Sequence, residues 1–405
     1  MEAHSARILL QIFAIFAAAK LLALLAERAR VPTVIAEIVA GIIIGPQVLN
    51  LINNPQQDWI VTLASIGAIV LLFDVGLEQK LTSIMRVGMT ALLVAVLGVV
   101  IPFFLGYGLL QLTKHSQTEA IFLGAAMVAT SVGITARVLQ ELGALRTIVA
   151  TIILSAAVID DILGMLVLAV VSSLSRGQVN YLELGLTAAL AVSFTIFIVF
   201  IGRRVIRRYA PRVVRFAPGN SYFALALIIC LGLAVVAEMI RMAAIIGAFL
   251  AGLVFSEEEI APTLKEKMHS VSEFLVPFFF VTTGMRMNLS VLAQTEILLL
   301  ATGVTILAIL GKLVGCGVGA YRLGWRGAAQ VGVGMVPRGE VGLIVALIGL
   351  NLGTISSNLY AVVIVMVLVT TLLAPPMLKL LFLRLATPAA VANTSPLPAD
   401  NSPTP

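Results

Sequence analysis

The sequence has few charged residues: only 11% of its 405 residues are Asp, Glu, Lys or Arg, while 60% are hydrophobic. Soluble domains average about 25% charged residues, so this shortage excludes an ordinary soluble enzyme, a disordered chain and a nucleic-acid-binding protein. The mean hydropathy of +1.09 indicates a polytopic membrane protein instead. Because one membrane-spanning helix needs about 20 residues, most of the chain can be used in a dozen or so spans.

Cysteine and histidine are also scarce, with two and three residues in the chain. Cys230 and Cys316 lie in apolar runs, which predicts no disulfide framework. The lack of clustered Cys and His argues against a transition-metal site. The Gly-x-Gly patterns lie within apolar segments and do not follow strands, so they do not predict a dinucleotide site. We therefore expect no cofactor and no nucleic-acid partner.

Thirteen apolar segments predict an all-α protein with about thirteen transmembrane helices. They cover residues 6–27, 31–50, 59–77, 87–112, 118–141, 147–174, 181–202, 220–239, 242–256, 270–285, 291–320, 325–350 and 357–383. The loops on the side of the N-terminus carry five Lys and Arg residues, and those on the other side carry seventeen. Since basic loops stay in the cytoplasm, we expect an outside N-terminus and a cytoplasmic C-terminus. Residues 1–386 would form the transmembrane domain, and the Pro- and Ser-rich residues 387–405 a disordered cytoplasmic tail.

The two halves of the chain show a weak similarity to each other. Three short alignments share an offset of 208 to 211 residues: 34–41 with 245–252, 71–82 with 279–290, and 132–134 with 341–343. This offset corresponds to seven spans. Because seven is odd, it predicts two six-span repeats of inverted orientation, joined by the seventh span. Chance alignment of Gly- and Ala-rich helices is the alternative.

Two segments carry helix-breaking sequences at corresponding positions of these repeats. The fifth contains Ala129-Thr-Ser-Val-Gly-Ile-Thr135, and the twelfth contains Met335-Val-Pro-Arg-Gly-Glu-Val-Gly342. Pro337 removes a backbone donor, and the glycines weaken both helices. Interrupted spans in matching positions are typical of transport sites, where free carbonyls and helix ends face an ion. A simple kink would explain the fifth segment, but it would not explain Arg338 and Glu340 within the twelfth.

Three charged residues are predicted to lie deep inside the membrane. Asp160 and Asp161 are adjacent in the sixth segment, and Lys312 lies in the eleventh. Each carboxylate costs about 2.5–3.5 kcal/mol at that depth, and two adjacent carboxylates repel each other. Neighbouring helical residues point about 100° apart, so one aspartate can face a cavity while the other pairs with Lys312. This arrangement suits proton-coupled cation transport; a fixed ion pair that only specifies helix packing is the alternative.

The other polar candidates are expected to have supporting roles. Thr130 and Ser131 offer neutral oxygens, which hard cations accept as ligands. Arg338 and Glu340 are expected to pair with each other or with the fifth segment, and with Glu37 they are interpreted as structural charges near the broken helices. Three further charges are expected to be structural or to face a cytoplasmic vestibule: Asp74, Arg137 and Glu141.

Four of these sequences together resemble the bacterial cation:proton antiporters. They are VATSVGITARVLQELG from Val128, AAVIDD from Ala156, ILGK from Ile309 and GVGMVPRGEVGLIVA from Gly332. The chain is most similar to the NapA-type sodium/proton antiporters of the NhaA fold, from the first segment to the thirteenth. The resemblance implies a multi-pass protein of the bacterial inner (plasma) membrane.

The resemblance also implies an architecture. It implies a homodimer in which the fifth and twelfth segments cross where they unwind. The dimerisation helices would be those at about 6–77 and 181–256, and the mobile core helices those at about 87–174 and 291–383. Some relatives carry a nucleotide-binding domain that gates potassium efflux, and that regulation is expected to be absent here.

The mechanism implied by the resemblance is alternating access. Asp161 would carry Na⁺ or Li⁺ in exchange for H⁺. Asp160 would pair with Lys312 and release it when the cation binds. The adjacent aspartates further imply electrogenic exchange, with more than one proton for each cation.

Three rival interpretations stay open at this point. A K⁺/H⁺ antiporter would keep the fold, since carboxylate and hydroxyl oxygens bind either ion. A cation channel would show flux without proton coupling and would not need a lysine that competes with the cation. An intramembrane aspartyl protease needs two aspartates that converge from different spans, whereas Asp160 and Asp161 point apart.

Overall fold

The structure, a computed structural model, describes residues 2–29, 32–175, 181–202, 204–208, 221–240, 242–256, 258, 261–286 and 295–383. These residues contain fifteen α-helices of ten residues or more and no β-strand. The helices are α1 (Glu2–Arg28), α2 (Thr33–Ile44), α3 (Asp58–Glu78), α4 (Leu81–Leu112), α5 (Gln117–Ala126), α6 (Val132–Glu141), α7 (Ile148–Ser175), α8 (Tyr181–Phe197), α9 (Ser221–Met239), α10 (Ala244–Phe255), α11 (Ala261–Met285), α12 (Thr295–Gly319), α13 (Gly324–Gly334), α14 (Glu340–Asn351) and α15 (Ser357–Leu383). A π-helical turn, Ile198–Gly202, follows α8. The predicted tail, 387–405, lies outside the described residues.

The helices have the length and composition of membrane spans. Eight of those described are long and apolar enough to cross a bilayer, and α2, α10 and most of α14 are shorter apolar helices. Large apolar side chains such as Leu9, Phe13, Met89 and Phe104 are exposed on the outer surface. An apolar surface of this extent is stable in lipid rather than in water. The chain is therefore an all-helical, multi-pass membrane protein.

The order of the helices repeats along the chain. The helices α1–α7 are followed, after α8, by α9–α15 in the same order, and each half contains one closely spaced pair of short helices, α5–α6 and α13–α14. The helices α2 and α10 have 12 residues each, and they begin at Thr33 and Ala244, at the offset predicted from the sequence. If each short pair counts once, the described residues contain thirteen helical segments in the predicted order.

Close backbone contact joins the two halves where α2 packs against α11. Gly41 of α2 lies directly against the carbonyl oxygen of Val281, and Gly284 of α11 lies directly against the carbonyl oxygen of Ile38. A Cβ atom at either glycine would collide with that oxygen. Small residues allow this approach, as in many membrane helix pairs.

The same contact occurs a second time, with the roles of the halves exchanged, where α10 packs against α3. Gly252 lies directly against the carbonyl oxygen of Phe73, and Gly76 lies directly against that of Phe249. The offsets of 211 and 208 residues map each member of the α2–α11 contact onto a member of this one. Contacts that exchange in this way are what a two-fold relation between the halves requires.

The tenth predicted segment has the wrong start. It was predicted from residue 270, but α11 begins at Ala261. The added turns are charged rather than apolar, so hydropathy does not detect them. One of their side chains, Lys265, forms an ion pair with Glu78 at the end of α3, with 2.7 Å between Nζ and Oε1. The helix therefore continues beyond its apolar stretch.

The second predicted segment has the wrong end. It was predicted to reach residue 50, but α2 ends at Ile44. Gly45 is extended, and Pro46 follows it. The residue before a proline is disfavoured in the helical region, which explains the stop.

The helices pack in two groups. In one, α1, α2, α3, α9, α10 and α11 contact each other; in the other, α4–α7 and α12–α15 do so. The groups meet mainly where α2 and α3 contact α6, and α8 contacts both α7 and, through its π turn, α10. The predicted ranges left α11 in neither group, and its contacts place it with α2 and α3.

Candidate ion-binding site

The two helix breaks lie against each other. Residues 127–131 separate α5 from α6, and residues 335–339 separate α13 from α14. The backbone N–H of Ser131 donates to the carbonyl oxygen of Pro337 at 2.8 Å. The hydroxyl of Thr135 donates to the carbonyl oxygen of Gly334 at 2.6 Å. The breaks therefore satisfy part of each other's backbone in the interior of the protein.

Local sequence explains why the second half breaks at this point. Pro337 has no backbone N–H and cannot continue a helix without losing a hydrogen bond. At Gly339, a Cβ atom would lie 2.8 Å from Cβ of Ser131, so only glycine fits against the opposite break. Proline interrupts the helix, and glycine lets the two breaks approach.

Arg338 is completely buried between the breaks. Its Nη1 donates to the carbonyl oxygens of Val128 and Ala129, both at 3.1 Å, and its Nη2 donates to that of Ala308 at 3.3 Å. The first two carbonyls follow the end of α5, where the helix dipole is negative. Arg338 therefore hydrogen-bonds to the fifth segment, which is one of the two predicted arrangements. It also hydrogen-bonds to α12.

The predicted companion of Arg338 is only partly visible. Glu340 is the first residue of α14, and its side chain lies outside the part of the chain that the structure describes. Thr130 is buried, and its hydroxyl oxygen has no hydrogen-bond partner among the described residues. A buried hydroxyl without a partner is costly, which makes this oxygen available to a ligand.

An ion pair lies next to the breaks. Lys312 Nζ of α12 lies 2.9 Å from Asp160 Oδ1 of α7, and the two side chains are 0% and 1% exposed. From the residues alone either aspartate could serve as partner, and the structure brings Asp160 to the lysine. The second oxygen, Asp160 Oδ2, is buried without a hydrogen bond to the described residues. A pair this deeply buried is held by its mutual attraction, because neither charge retains contact with water.

Asp161 points to a different environment. It is half-buried and lines a cavity of about 250 Å³, together with Thr130 and Ser131 of the first break and Gly339 of the second. The other walls come from both helix groups, including Leu72 of α3, and from the ends of loops at Gln56 and Arg286. The cavity thus lies between the groups and reaches one end of the molecule.

Glu37, predicted as a structural charge near the broken helices, lies on α2. It is buried on α2, within electrostatic range of Arg137 and Glu141 near the far end of α6. At this place α2 contacts the end of α6 that is remote from Ser131, through the hydrogen bond from Thr33 to Glu141.

Sequence reasoning also missed a set of polar contacts at that end. Glu141 accepts hydrogen bonds from Thr33, and Asp74 accepts one from Gln140. A signal existed for the first of these. Pro32 precedes α2 and supplies no side-chain cap, so the first N–H groups of this helix need a partner from elsewhere.

Most of the chain matches a known protein family. Residues 13–384 match the family described as "Sodium/hydrogen exchanger, transmembrane". The chain belongs to this family. It is a membrane transporter of the cation/proton antiporter type and not an enzyme.

Curated relatives of this exchanger-family chain share about a third of its residues. It is 35% identical to the high-affinity Na⁺/H⁺ antiporter NhaS3 of Synechocystis, over 93% of this chain and 90% of the relative. It is also 35% identical to the Na⁺/H⁺-K⁺ antiporter GerN of Bacillus cereus, over 92% of this chain and 95% of the relative.

A solved structure shows a similar fold. The sodium proton antiporter MjNhaP1 from Methanocaldococcus jannaschii superposes with a TM-score of 0.71, over 95% of this chain and 99% of that chain. The sequence identity of 18% is low, so this likeness supports the exchanger fold alone.

Proposed function

We propose that this chain exchanges Na⁺ or Li⁺ for protons by alternating access, with Asp161 as the residue that carries the cation. The observation that supports this most directly is the position of Asp161. Its side chain lines the cavity between the two helix groups, beside Thr130 and Ser131. A carboxylate with hydroxyl and carbonyl oxygens around it is a ligand set that a hard monovalent cation accepts.

The adjacent ion pair supplies the coupling in this proposal. Asp160 and Lys312 neutralise each other while Asp161 holds a proton. A cation that replaces this proton also attracts the neighbouring carboxylate of Asp160, so Asp160 releases Lys312. A buried lysine that has lost its counter-charge gives up its proton. Protons and cations therefore compete for neighbouring groups. Each pH unit of gradient supplies about 1.4 kcal/mol per proton, so two protons can drive one cation against its own gradient. Exchange of two protons for one cation also moves net charge, which makes it electrogenic.

The finer architecture is part of the same proposal. Thirteen crossings, with the N-terminus outside and the C-terminus in the cytoplasm of a bacterial cell, place the two repeats in inverted orientation. The group that contains α1–α3 and α9–α11 serves as the dimerisation scaffold of a homodimer, and the group that contains α4–α7 and α12–α15 moves as the core. The cavity mouth at Gln56 and Arg286 then faces the outside.

A K⁺/H⁺ antiporter is the second candidate. The relative of Bacillus cereus bears the name of a Na⁺/H⁺-K⁺ antiporter at 35% identity, so potassium belongs among the ions tested. Carboxylate and hydroxyl oxygens bind either ion, and the size of the site when occupied decides between them.

The test is exchange in proteoliposomes. Vesicles that contain the purified chain and a pH dye are given an acid interior, and Na⁺, Li⁺ or K⁺ is added outside. We expect Na⁺ and Li⁺ to make the interior more alkaline, and Asp161→Asn to abolish the response. Asp58→Asn is the matched control, since Asp58 is an exposed carboxylate at the start of α3.

Each other outcome has a definite meaning. A K⁺ response equal to the Na⁺ response would show that the proposed substrate is wrong, while Asp161 would remain the proposed binding residue. Normal exchange by Asp161→Asn would remove Asp161 from the mechanism, and cation flux without proton movement would indicate a channel. A stoichiometry of one proton per cation under a voltage clamp would contradict the electrogenic version.

A further inference from the structure

As far as the described residues show its lining, the cavity beside Asp161 extends to one end of the molecule, at Gln56 and Arg286. Along α3 it begins near Gln56, before the helix, and Leu72 is the last α3 residue that lines it. A second, much smaller space beside Asp161 is lined mainly by apolar side chains that include Leu72, Val132 and Leu154. Beyond this apolar layer, toward the end of α3, the side chains between the two helix groups become polar.

The first set of these polar contacts joins α3 to α6 and α7. Gln140 Nε2 donates to Asp74 Oδ2 at 2.8 Å, and Thr151 Oγ1 donates to Gln79 Oε1 at 3.1 Å. The amide of Gln79 also donates to the carbonyl oxygen of Leu145. Asp74 and Gln79 are almost completely buried. Each bond connects a residue of the proposed scaffold to a residue of the proposed core.

The second set joins α2 to α6. The backbone N–H of Thr33 donates to Glu141 Oε2 at 3.0 Å, and the Thr33 hydroxyl donates to Glu141 Oε1. Arg137 Nε donates to the same Oε1 at 3.1 Å and orients the carboxylate. Since α2 has no side-chain cap of its own, Glu141 supplies one from the other helix group. A negative charge at a helix N-terminus is also stabilised by the helix dipole.

We propose that these contacts form the gate that closes the ion pathway at the end opposite the cavity mouth, with Glu141 and Asp74 as the positioning residues that keep it closed. The inference rests on the proposed function, because alternating access requires Asp161 to reach both ends in turn. The two groups must separate along α2, α3, α6 and α7 for that to happen. Hydrogen bonds between side chains can break and re-form during such a movement.

The contacts within the scaffold group are of another kind. There the helices touch through glycines packed against carbonyl oxygens, as at Gly41 and Gly252. Contacts of that kind leave no space for one helix to shift past the other. The polar contacts between the groups are therefore the ones that can open.

The test measures access to the cavity from each side of the membrane. Both native cysteines are replaced by alanine, and Ile245→Cys is introduced as a reporter, because Ile245 lines both spaces beside Asp161. The full-length protein is labelled with a membrane-impermeant maleimide in right-side-out and in inverted vesicles, without ion gradients. The unmodified gate should allow labelling mainly from the side of the cavity mouth.

Removal of gate contacts should change the side from which the reporter is labelled. A hydrogen bond to a charged group contributes about 1.5–3 kcal/mol, so Glu141→Gln and Asp74→Asn should each raise labelling from the closed side about tenfold or more. Thr33→Ala, which removes only one donor and leaves every charge in place, should cause a smaller rise in the same direction. Glu78→Gln is the matched control. It breaks the ion pair with Lys265 at the same end but within one helix group, and it should change nothing.

The proposal would be overturned if the Ile245→Cys reporter were labelled from the closed side equally in three proteins: the one with the unmodified gate, Glu141→Gln and Thr33→Ala. A rise in Glu78→Gln as large as that in Glu141→Gln would also overturn it, since loosening of that whole end would then explain the effect. If Glu141→Gln does not fold, the comparison of Thr33→Ala with Glu78→Gln decides. The labelling requires no transport, so failure of Na⁺/H⁺ exchange in proteoliposomes would be seen separately.

Discussion

Alanine at Gly41 and alanine at Gly252 should weaken the protein by similar amounts, although the two residues are far apart in sequence. Each Cβ atom would collide with a backbone carbonyl oxygen, of Val281 in one case and of Phe73 in the other. Insertion of a methyl group into a packed contact costs about 1–3 kcal/mol, and backbone yields less readily than a flexible side chain. Alanine recovers about 0.5–1 kcal/mol through its better helix propensity. Because backbone atoms cannot move aside, the cost falls in the upper part of its range, and the expected net loss is about 1–2.5 kcal/mol at each site.

The assay is thermal unfolding of the purified protein in detergent. A loss of 1 kcal/mol lowers the midpoint by about 2–4 °C in a domain of 150–250 residues, and somewhat less in a larger chain. Gly232→Ala on α9 is the control, because a Cβ atom there meets nothing within 4 Å. The control should have an unchanged or slightly higher midpoint.

The double variant extends the test to the internal symmetry. The contacts at Gly41 and Gly252 share no partner, so their effects should add. If Gly41→Ala and Gly252→Ala match the Gly232→Ala control, the helices do not approach as closely as described. If only one of the two is destabilising, the equivalence of the two halves is refuted.

Three further predictions concern the breaks and the ion pair. Arg338→Lys should lower stability by about 2 kcal/mol or more, because one ammonium cannot reach both the carbonyl of Ala129, beyond the end of α5, and that of Ala308 on α12. A thermal midpoint equal to that of the unmodified protein would contradict this. Lys312→Met should lower stability by about 3–5 kcal/mol, because it leaves Asp160 buried without its partner. The Asp160→Asn/Lys312→Met double variant should recover part of that stability. A double variant no more stable than Lys312→Met alone in a denaturation assay would argue against the pair. Thr135→Val removes the hydrogen bond to Gly334 and should cost about 1–3 kcal/mol, measured against Thr302→Val, whose hydroxyl is exposed and bonds only within its own helix.

Hydropathy predicts the apolar helices of this fold well and their polar extensions poorly. The last segment was predicted at 357–383, and α15 covers Ser357–Leu383. That helix is apolar over most of its length, so its limits coincide with those of the apolar run. The tenth segment was predicted too short because α11 begins with charged turns, which are stabilised by an ion pair from another helix. A contact between remote parts of the chain leaves no trace in local composition.

At the candidate site too, local features are predicted from the sequence, whereas contacts between remote helices are not. Pro337 and the glycines predict where the helices break, because they act on their own backbone. The choice of Asp160 rather than Asp161 as the partner of Lys312 needs the relative rotation of α7 and α12, which the residues alone do not provide. The surroundings of Glu37 also depend on the packing of whole helices, since its side chain lies within electrostatic range of Arg137 and Glu141 on α6.

The pairing of Asp160 with Lys312 also determines where the membrane voltage can act. While one is negative and the other positive, their sum is zero, so a movement of the core carries no net charge from this pair across the electric field. Moving one elementary charge through 100 mV is worth about 2.3 kcal/mol. If the transport cycle follows the proposed coupling, the voltage acts mainly in the half-cycle in which Lys312 has lost its proton and no longer cancels the charge of Asp160. The rate of that half-cycle should then follow the membrane potential, while the other half-cycle stays nearly independent of it.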